Sequence, residues 1–379
     1  MNLKIWISIL LVTFSCKYFK SGTLATQDET AGAVVTFLHG NVTVISEGKE
    51  TQPKVGHVIR AGDQIRTKLG SIDIQTYRGE VIRIKDNSSL TFKSLPGEES
   101  QTNTIDVAFG NLVVKSVKLK SNQSISITSP TMVAGVRGTS FSFELEKNGV
   151  PKVKVFEGSV GMSFRTSREI IEANEMISKE AMAKLLKTLE SNEVVLEPGE
   201  ALEVNPKINE MVFLINTKLS EKNLSSAEIE SFKLSENDLS KKGFQSSPQE
   251  QAELETLFPI EQGTVQKAIS ENKKGTPLNA SISDSIDSQH EEKRKDVIAK
   301  ITENAESKNI ESETEIHEYY NILESIHKTN GETLSGAVIA QLGDTYIVHS
   351  TKGIHELKVD DIEFIEYKNF KVKTKPKTK

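Results

Sequence analysis

Residues 128–145 read TSPTMVAGVRGTSFSFEL and carry the strongest structural signal in the chain. Apolar and polar residues alternate just before this stretch, at Ile125 and Ile127, and again through Phe141, Phe143 and Leu145. An alternation of period two is typical of a strand with one buried face. Because Pro130 cannot donate a ladder hydrogen bond, we predict that the first strand ends there and a second strand follows.

The residues between the two strands form the candidate site of the sequence, namely Gly135, Val136, Arg137, Gly138 and Thr139. The two glycines permit backbone angles that are closed to residues with a Cβ atom. Arg137 lies between the two glycines, and its planar guanidinium can hold carbonyls or a carboxylate through two hydrogen bonds. Two interpretations follow: a structural turn that this arginine braces, or a turn that presents the arginine to a partner.

These motifs, in the order in which they occur, resemble the FecR domain. The resemblance covers residues 31–165, with a possible last strand at 194–204, and it departs from the family pattern at Ser129 and at Arg78. The other matching positions are Val55, Gly56, Ile59, Gly62, Asp63, Ile65, Thr67, Gly70, Ser71, Ile72, Ile74, Gly79, Glu80, Val81, Ile82, Ile84, Ser89, Val153, Val155, Phe156, Glu157, Gly158, Ser159 and Val160.

The resemblance implies an all-β domain that binds or scaffolds other proteins outside the cytoplasm. Family members that regulate sigma factors have a cytoplasmic amino-terminal region and one transmembrane helix before this domain. The present sequence shows neither feature, so we expect a binding or scaffolding role in place of direct sigma-factor control.

A pattern of apolar residues around a glycine recurs at residues 38–42, 109–112 and 156–160. The spacing is uneven, so the pattern is not a true repeat. It predicts several similar short strands, each entered through a glycine, stacked as a solenoid or a sandwich.

The first sixteen residues, MNLKIWISILLVTFSC, have one lysine before a ten-residue apolar run and end at Cys16. Ten residues are too few to cross about 30 Å of hydrocarbon as a helix, so a signal peptide is favoured over a membrane anchor. The serine and cysteine resemble a spirochaete-type lipobox, in which Cys16 is acylated, for example with palmitate. An ordinary signal peptide and an uncleaved anchor remain the alternatives.

The rest of the chain divides by composition. We predict a tether over 17–30, the FecR-like domain over 31–205 with a helical insertion at about 168–191, and a helical, partly disordered region over 206–332. Residues 236–247 and 274–289 have few apolar residues and should be the least ordered. Period-two alternation over 333–368 predicts a small β meander or SH3-like module, and a basic tail occupies 369–379. The fold class is thus mainly β with an α-helical middle.

Charge and residue spacing exclude several functions. A net charge of −6 argues against nucleic acid as a partner. The single cysteine leaves no metal-ligand spacing, and His349 and His355 are only a weak candidate pair. No nucleophile elbow or phosphate loop occurs. We therefore expect no enzyme, metal, cofactor or small-molecule substrate.

We expect a lipid-anchored cell-envelope protein that contacts the membrane through its amino-terminal lipid and binds other envelope proteins. The outer membrane is favoured over the inner one, and the periplasmic and surface faces remain alternatives. The alternative functions are a sensor that relays the state of an outer-membrane transducer, and a surface adhesin.

The two interpretations of the turn predict different thermal melts. If Arg137 braces buried acceptors, Arg137→Ala leaves them unpaired and costs about 1–3 kcal/mol of stability. Gly138→Val should cost as much, because β-branched residues resist positive φ. If Arg137 contacts a partner, Arg137→Ala melts like the wild type.

Overall fold

A computed structural model of the 379-residue chain describes residues 30–116, 120, 122–136, 138–146, 149–165, 178–190, 192–235, 237–272 and 279–368. Within these residues the protein is mainly β, with helices between a large amino-terminal sheet and a five-stranded carboxy-terminal sheet. The predicted fold class is confirmed.

The large sheet, here called the amino-terminal β unit, contains fifteen strands among the described residues. One path through it runs β13-β12-β9-β8-β7-β10-β11-β14-β15, and β1–β6 join it through β5 and β6, which both pair with β7. The strands are β1 Ala33–Ser46, β2 Lys49–Thr51, β3 Val58–Ile59, β4 Gln64–Thr76, β5 Val81–Ile84, β6 Ser89–Ser94, β7 Thr102–Lys115, β8 Ser124–Thr128, β9 Met132–Val136, β10 Ser140–Leu145, β11 Pro151–Glu157, β12 Val160–Phe164, β13 Val194–Leu196, β14 Glu200–Val204 and β15 Leu239–Gly243.

Two long strands of this unit, β4 and β7, change partners near a glycine, and β1 pairs with β4 on both sides of another glycine. Strand β4 pairs with β6 over 64–66 and with β5 over 72–75, and β7 pairs with β6 over 104–109 and with β5 over 112–115. Gly40 of β1 lies opposite Gly70 of β4, and Gly110 lies at the change in β7. The strands can therefore bend over their own core.

The glycines are required at the bends because the backbone approaches too closely for a side chain. Gly40 has φ +70° and Gly110 has φ +109°. A Cβ atom on Gly40 would lie 2.2 Å from the Leu69 carbonyl oxygen, and one on Gly110 would lie 2.2 Å from Ser88 Oγ. The prediction of short strands entered through glycines is therefore wrong at two of the three patterns, because Gly40 and Gly110 lie inside strands of 14 residues. At the third, Gly158 lies in the turn before the short strand β12.

Both halves of the bent strands bury their apolar residues in one core. Phe92, Phe141, Phe143 and Phe164 are its largest fully buried side chains. Strands β8 and β10, predicted from the alternation around residues 128–145, each contribute one face to it.

The helices among the described residues are α1 Lys179–Glu190, α2 Pro206–Ser220, α3 Ser226–Ser231, α4 Pro248–Thr256, α5 Gln262–Glu271, α6 Ala280–Glu306 and α7 Glu313–Tyr320. Helix α1 lies within the predicted insertion, whose residues 168–177 fall outside the described part. Helix α4 begins with a capping box of Ser247 and Glu250 and has Pro248 at its first position, as the sequence predicts.

The expectation of disorder is wrong for two described stretches. Residues 239–243 form β15, which pairs with β14 and extends the large sheet beyond the predicted boundary at 205. Residues 280–289 are the first part of α6, because Ile282 and Ile286 are buried in a cluster with Val34, Val265 and Ile269. Tertiary packing stabilises a helix whose own sequence is polar.

The carboxy-terminal sheet is antiparallel and has the order β19-β18-β17-β16-β20. Its strands are β16 Glu324–Lys328, β17 Thr333–Leu342, β18 Thr345–Ser350, β19 Gly353–Lys358 and β20 Ile362–Tyr367. The sheet is a meander whose last strand returns to pair with its first strand. The sheet begins at residue 324, so the predicted boundary at residue 333 falls within it. Asn330 and Gly331 form the turn that connects β16 to β17.

The bend at Gly110 can be tested with a matched pair of variants. Gly110→Ala should destabilise the protein by about 1–3 kcal/mol or more, because the alanine would adopt a strained backbone conformation and its Cβ atom would clash with Ser88. Gly263→Ala in α5, where nothing lies within 4 Å of the added Cβ, should be neutral or stabilise by up to about 1 kcal/mol. Denaturant melts measure both, and equal stability of the two variants would contradict the account of the bends.

Candidate functional site

Helix α4 lies between the amino-terminal β unit and the carboxy-terminal sheet and contacts both. Leu254 on α4 and Leu257 just after it pack against Val81 and Val113 of the β unit. Ala252, on the same helix, packs against the apolar cluster of α6, α7 and the carboxy-terminal sheet. We call α4 the wedge helix, because it fills the seam between the two sheets.

A buried ion pair fixes the wedge helix to the β unit. Arg83 of β5 lies opposite Asp73 of β4 in the strand register and donates to both of its carboxylate oxygens, Nε to Oδ1 at 2.8 Å and Nη2 to Oδ2 at 2.7 Å. Arg83 Nη1 also donates to Thr256 Oγ1, at the end of the wedge helix, at 2.7 Å. Burial disfavours the charge, but the Asp73 carboxylate offsets this and raises the pKa of Arg83.

Further hydrogen bonds and an ion pair join the β unit to the wedge helix and to the residues that follow it. The buried Gln75 side chain donates to the Ile260 carbonyl at 3.1 Å and accepts from its amide at 2.8 Å. Arg60 Nη2 donates to the Ile269 carbonyl at 2.7 Å, at the end of α5. Lys85 Nζ lies 3.1 Å from the Glu253 carboxylate of the wedge helix. The helical middle is therefore packed on the β unit through specific buried contacts.

Beside the wedge helix, the two sheets enclose a cleft of ≈540 Å³, here called the seam cleft. Phe37 and Leu69 of the β unit face Tyr346 of the carboxy-terminal sheet across it, and Lys85 and Asp86 add charges. Leu69 is 79% exposed.

Helix α6 spans the seam and carries the half-buried His290. The His290 ring stacks on Phe37 at 5.5 Å between centroids and packs against Phe258 at 4.7 Å. Farther along, Arg294 Nη2 donates to Thr345 Oγ1 of the carboxy-terminal sheet at 2.7 Å. Burial lowers the pKa of His290, an effect that Arg83 and Arg294 reinforce while Asp73 and Glu291 oppose it.

The structure places four of the five predicted turn residues, and Arg137 lies outside the described residues. Gly135 is inside β9, opposite Gly161 of β12, in extended conformation. Gly135 therefore does not use the backbone angles that only glycine readily adopts. Gly138 does use them, with φ +66°.

The end of the turn packs tightly against the β11–β12 turn. A Cβ atom on Gly158 would lie 2.5 Å from the Gly138 carbonyl oxygen and 2.6 Å from the Thr139 methyl carbon. Thr139 is 1% exposed, and its hydroxyl has no hydrogen-bond partner among the described residues. These contacts agree with a structural turn.

The start of the same turn borders an open groove. Gly135 and Val136 line a groove of ≈630 Å³ together with Ser126, Gly161 and Val195. We call it the strand groove, because strands β8, β9, β12 and β13 form it. Its floor consists of small residues, so the backbone of another chain can approach closely.

Other predicted site residues are not brought together. Cys16 lies outside the described residues. His349 is buried and bonds to Tyr320 Oη at 2.7 Å, whereas His355 bonds to Ser350 Oγ at 2.8 Å. A search of the described residues finds no group of three or more His, Cys, Asp or Glu side chains that could hold a metal. The same part of the chain contains no helix that is long and apolar enough to cross a membrane.

Sequence reasoning missed the link from Asp73 and Arg83 to Thr256, which joins residues 173 positions apart. One signal was available. Both charged residues have apolar neighbours in sequence, IDI around Asp73 and VIRI around Arg83, and charges in such apolar surroundings are usually paired. Thr256 carried no comparable signal.

Comparisons with known proteins agree with the resemblance. Residues 63–161, about a quarter of the chain, match the family model described as FecR protein. The predicted FecR resemblance is confirmed for that stretch, which contains Gly135–Thr139 and runs from β4 into β12. No curated protein matches the chain.

Two crystal structures from Parabacteroides distasonis, both described as a "putative anti-sigma factor", are similar to part of the chain. The first has 14% identity and a TM-score of 0.28 over 38% of this chain and 55% of that chain. The second has 13% identity and a TM-score of 0.31 over 51% of this chain and 64% of that chain. The present chain thus covers less than two thirds of either structure.

The buried ion pair predicts a strongly non-additive mutant cycle. Asp73→Leu should cost about 3–5 kcal/mol, because it leaves the buried Arg83 charge unpaired. The double variant Asp73→Leu/Arg83→Met should recover much of that loss, because two apolar side chains need no partner. Denaturant melts of the two single variants and the double variant test this, and additive losses would contradict the prediction.

The half-buried His290 predicts a contribution to stability that is lost in acid. The unfolded chain binds a proton at His290 near its ordinary pKa of 6.5, whereas the folded protein resists protonation until lower pH. The contribution of His290 to the free energy of unfolding should therefore be highest above pH 6.5 and fall as the pH drops below it, whereas Glu80, whose pKa burial raises to about 7, contributes in the opposite direction. His290→Phe keeps an aromatic ring in place and should reduce this slope, although His57, His349 and His355, whose pKa values are also lowered, retain part of it. Identical slopes in pH-dependent melts of the two proteins would contradict the prediction.

Proposed function

We propose that this protein is a lipid-anchored cell-envelope protein whose FecR-like domain binds another envelope protein along the strand groove. The observation that carries the proposal is the position of the groove. Its strands β8 and β9, and the start of β12, belong to the stretch that matches the FecR family model. The candidate turn of the sequence lies at the same groove.

The chemistry of the groove favours an extended protein segment as ligand. Gly135 is exposed on the groove floor, the Glu193 carboxylate lies over the neighbouring Gly161, and Ser126 offers a hydroxyl beside them. Val195, on the short edge strand β13, is 46% exposed and provides an apolar contact. Main-chain pairing at a sheet edge, with shallow contacts for side chains, is a common mode of peptide recognition.

Attachment to the envelope rests on the amino-terminal sequence. Acylation of Cys16 would hold the protein at a bilayer, and two acyl chains hold far better than one. The outer membrane is our favoured location. The sequence MNLKIWISILLVTFSC supports export and acylation.

A second candidate function is a sensor that relays the state of an outer-membrane transducer. One feature favours it: the wedge helix contacts both sheets, and Arg83 joins β5 to the end of that helix. A partner that moves the helix would therefore alter the seam cleft. On this account the partner binds at the cleft, near Leu69, and not at the strand groove.

The lipid anchor is tested by Cys16→Ala. We expect this variant to leave the membrane fraction, because the acyl chains contribute about 0.8 kcal/mol of binding free energy per buried CH₂ group. Detergent partition and the mass of the mature protein measure the change. A Cys16→Ala protein that stays in the detergent phase with unchanged mass would contradict acylation.

The binding site is tested by photo-cross-linking in intact cells. A photoreactive phenylalanine derivative replaces Gln123 at the strand groove, Leu69 at the seam cleft or Lys242 on the exposed edge strand β15 as control. The proposal expects one envelope protein to be captured from position 123 and not from 242. Capture from position 69 alone would favour the sensor, and equal capture from all three positions would refute a specific groove.

A further inference from the structure

The wedge helix lies on the outer face of four strands of the β unit. The strand registers place Arg83, Val113, Ser142 and Lys154 in one row across β5, β7, β10 and β11. Two glutamates of the same face, Glu144 and Glu157, line cavities beside the helix. Four cations of these strands reach the helix, and we call them the basic face: Arg83, Lys85, Lys115 and Lys154.

The bonds from the basic face match the charge of the helix. Lys154 Nζ donates to a Glu250 carboxylate oxygen at 2.6 Å, and Lys115 Nζ donates to the Leu254 carbonyl at 3.1 Å. The other two cations bond to the helix as described above. Residues 248–256 contain three glutamates and no lysine or arginine. An acidic helix is therefore seated on a basic surface.

Little apolar packing holds the wedge helix in place. Of its nine residues, Thr256 alone is buried. Its apolar contact with the β unit is a small cluster of Leu254, Leu257, Val81 and Val113, separate from the main core. Ion pairs between partly exposed side chains add little stability. Because an isolated helix of nine residues is unstable in water, these few contacts are what keep the segment helical.

Three cavities border the wedge helix. Gln249 and Glu253 line the seam cleft of ≈540 Å³, and Glu250 and Glu253 line a cavity of ≈280 Å³ over the basic face. Gln251 and Glu255 line a third cavity, of ≈350 Å³, towards α6 and α7. The helix therefore fills only part of the space between the two sheets, and a bulkier helix in the same place would bury more surface.

We propose that the basic face is a docking surface for an acidic amphipathic helix of a partner protein, and that the wedge helix is its exchangeable internal occupant. An amphipathic helix laid in a groove is a common mode of recognition, and complementary charge selects the partner. The inference extends the sensor candidate, because exchange of the helix opens the seam cleft. It is independent of the strand groove.

The contacts of the wedge helix define the chemistry of the partner. Two carboxylates three residues apart meet Lys154 and Lys85, as Glu250 and Glu253 do. A hydroxyl three residues later accepts from Arg83, whose donor would otherwise stay unpaired. Glu144 and Glu157 disfavour carboxylates elsewhere on the partner helix.

The covalent link favours the internal helix over any partner. A tethered segment has an effective concentration of about millimolar for a short linker. A partner must therefore gain contacts that the wedge helix lacks. Large apolar side chains that reach into the three cavities supply them.

A fluorescent peptide of residues 246–259 tests exchange in the full chain, because it carries the wedge helix and stands in for a partner helix. In the variant Leu254→Ala/Leu257→Ala the internal helix loses its apolar contacts. We expect this loosened chain to bind the peptide with at least tenfold higher affinity than the wild type, measured by fluorescence anisotropy. A peptide of the same composition with permuted glutamates and leucines should bind neither protein. Equal binding to both proteins, or binding to neither, would overturn the proposal.

A charge exchange tests the basic face as the binding surface. The peptide with Glu250→Lys and Glu253→Lys should bind the loosened chain at least tenfold more weakly. Adding Lys85→Glu and Lys154→Glu to the loosened chain should restore its binding. Absence of this rescue would overturn the assignment to the basic face. A loosened chain that dimerises without peptide would assign the face to the wedge helix of a second copy and overturn the partner proposal.

Hydrogen exchange tests the same point in the wild-type chain, where no variant has to fold. The amides of residues 252–256 should exchange through local opening, at least tenfold faster than those of residues 112–114 in β7. An excess of unlabelled peptide should accelerate the helix amides at least threefold and leave the β7 amides unchanged. Exchange of both sets at one rate, or no response to the peptide, would show a fixed helix and overturn the proposal.

Discussion

The buried pair of Arg83 and Asp73 is the interaction on which the arrangement of the molecule depends. It lies on two neighbouring strands of the β unit, and the third donor of the guanidinium reaches Thr256 of the wedge helix. A buried charge pair contributes little net stability, because desolvation offsets much of the Coulombic attraction. Its value is geometric, since a guanidinium that left Thr256 would leave a donor unpaired in the interior.

The amino-terminal β unit connects the two regions that we propose for binding. The strand groove lies on β8, β9, β12 and β13, and the seam cleft lies where the wedge helix separates the two sheets. The β unit is continuous between them, because its bent strands share one core. A partner bound at either place would therefore meet a surface whose shape is fixed by packing.

Much of the β unit could be predicted from local sequence. Alternation around Pro130 gave β8 and β10, whereas the glycine patterns at 38–42 and 109–112, which predicted short strands, lie where long strands bend. Ser247 and Ser312 are each followed three residues later by glutamate, a local capping-box pattern, and they lie at the starts of α4 and α7. The sequence predictions failed where contacts with residues far away in the chain decide whether a segment forms a helix or a strand. The polar start of α6 and the short strand β15 form because the β unit offers them a surface.

The sequence by itself determined the class of fold, the FecR-like order of motifs and the turn with Gly138. These signals are local, because strand period, turn glycines and helix caps act within a few residues. Only the tertiary structure decided that Gly135 lies on a groove floor in extended conformation, and that Arg83 meets Thr256. Such contacts join residues far apart in the chain, and their free energy comes from burial and hydrogen bonding that no local pattern records.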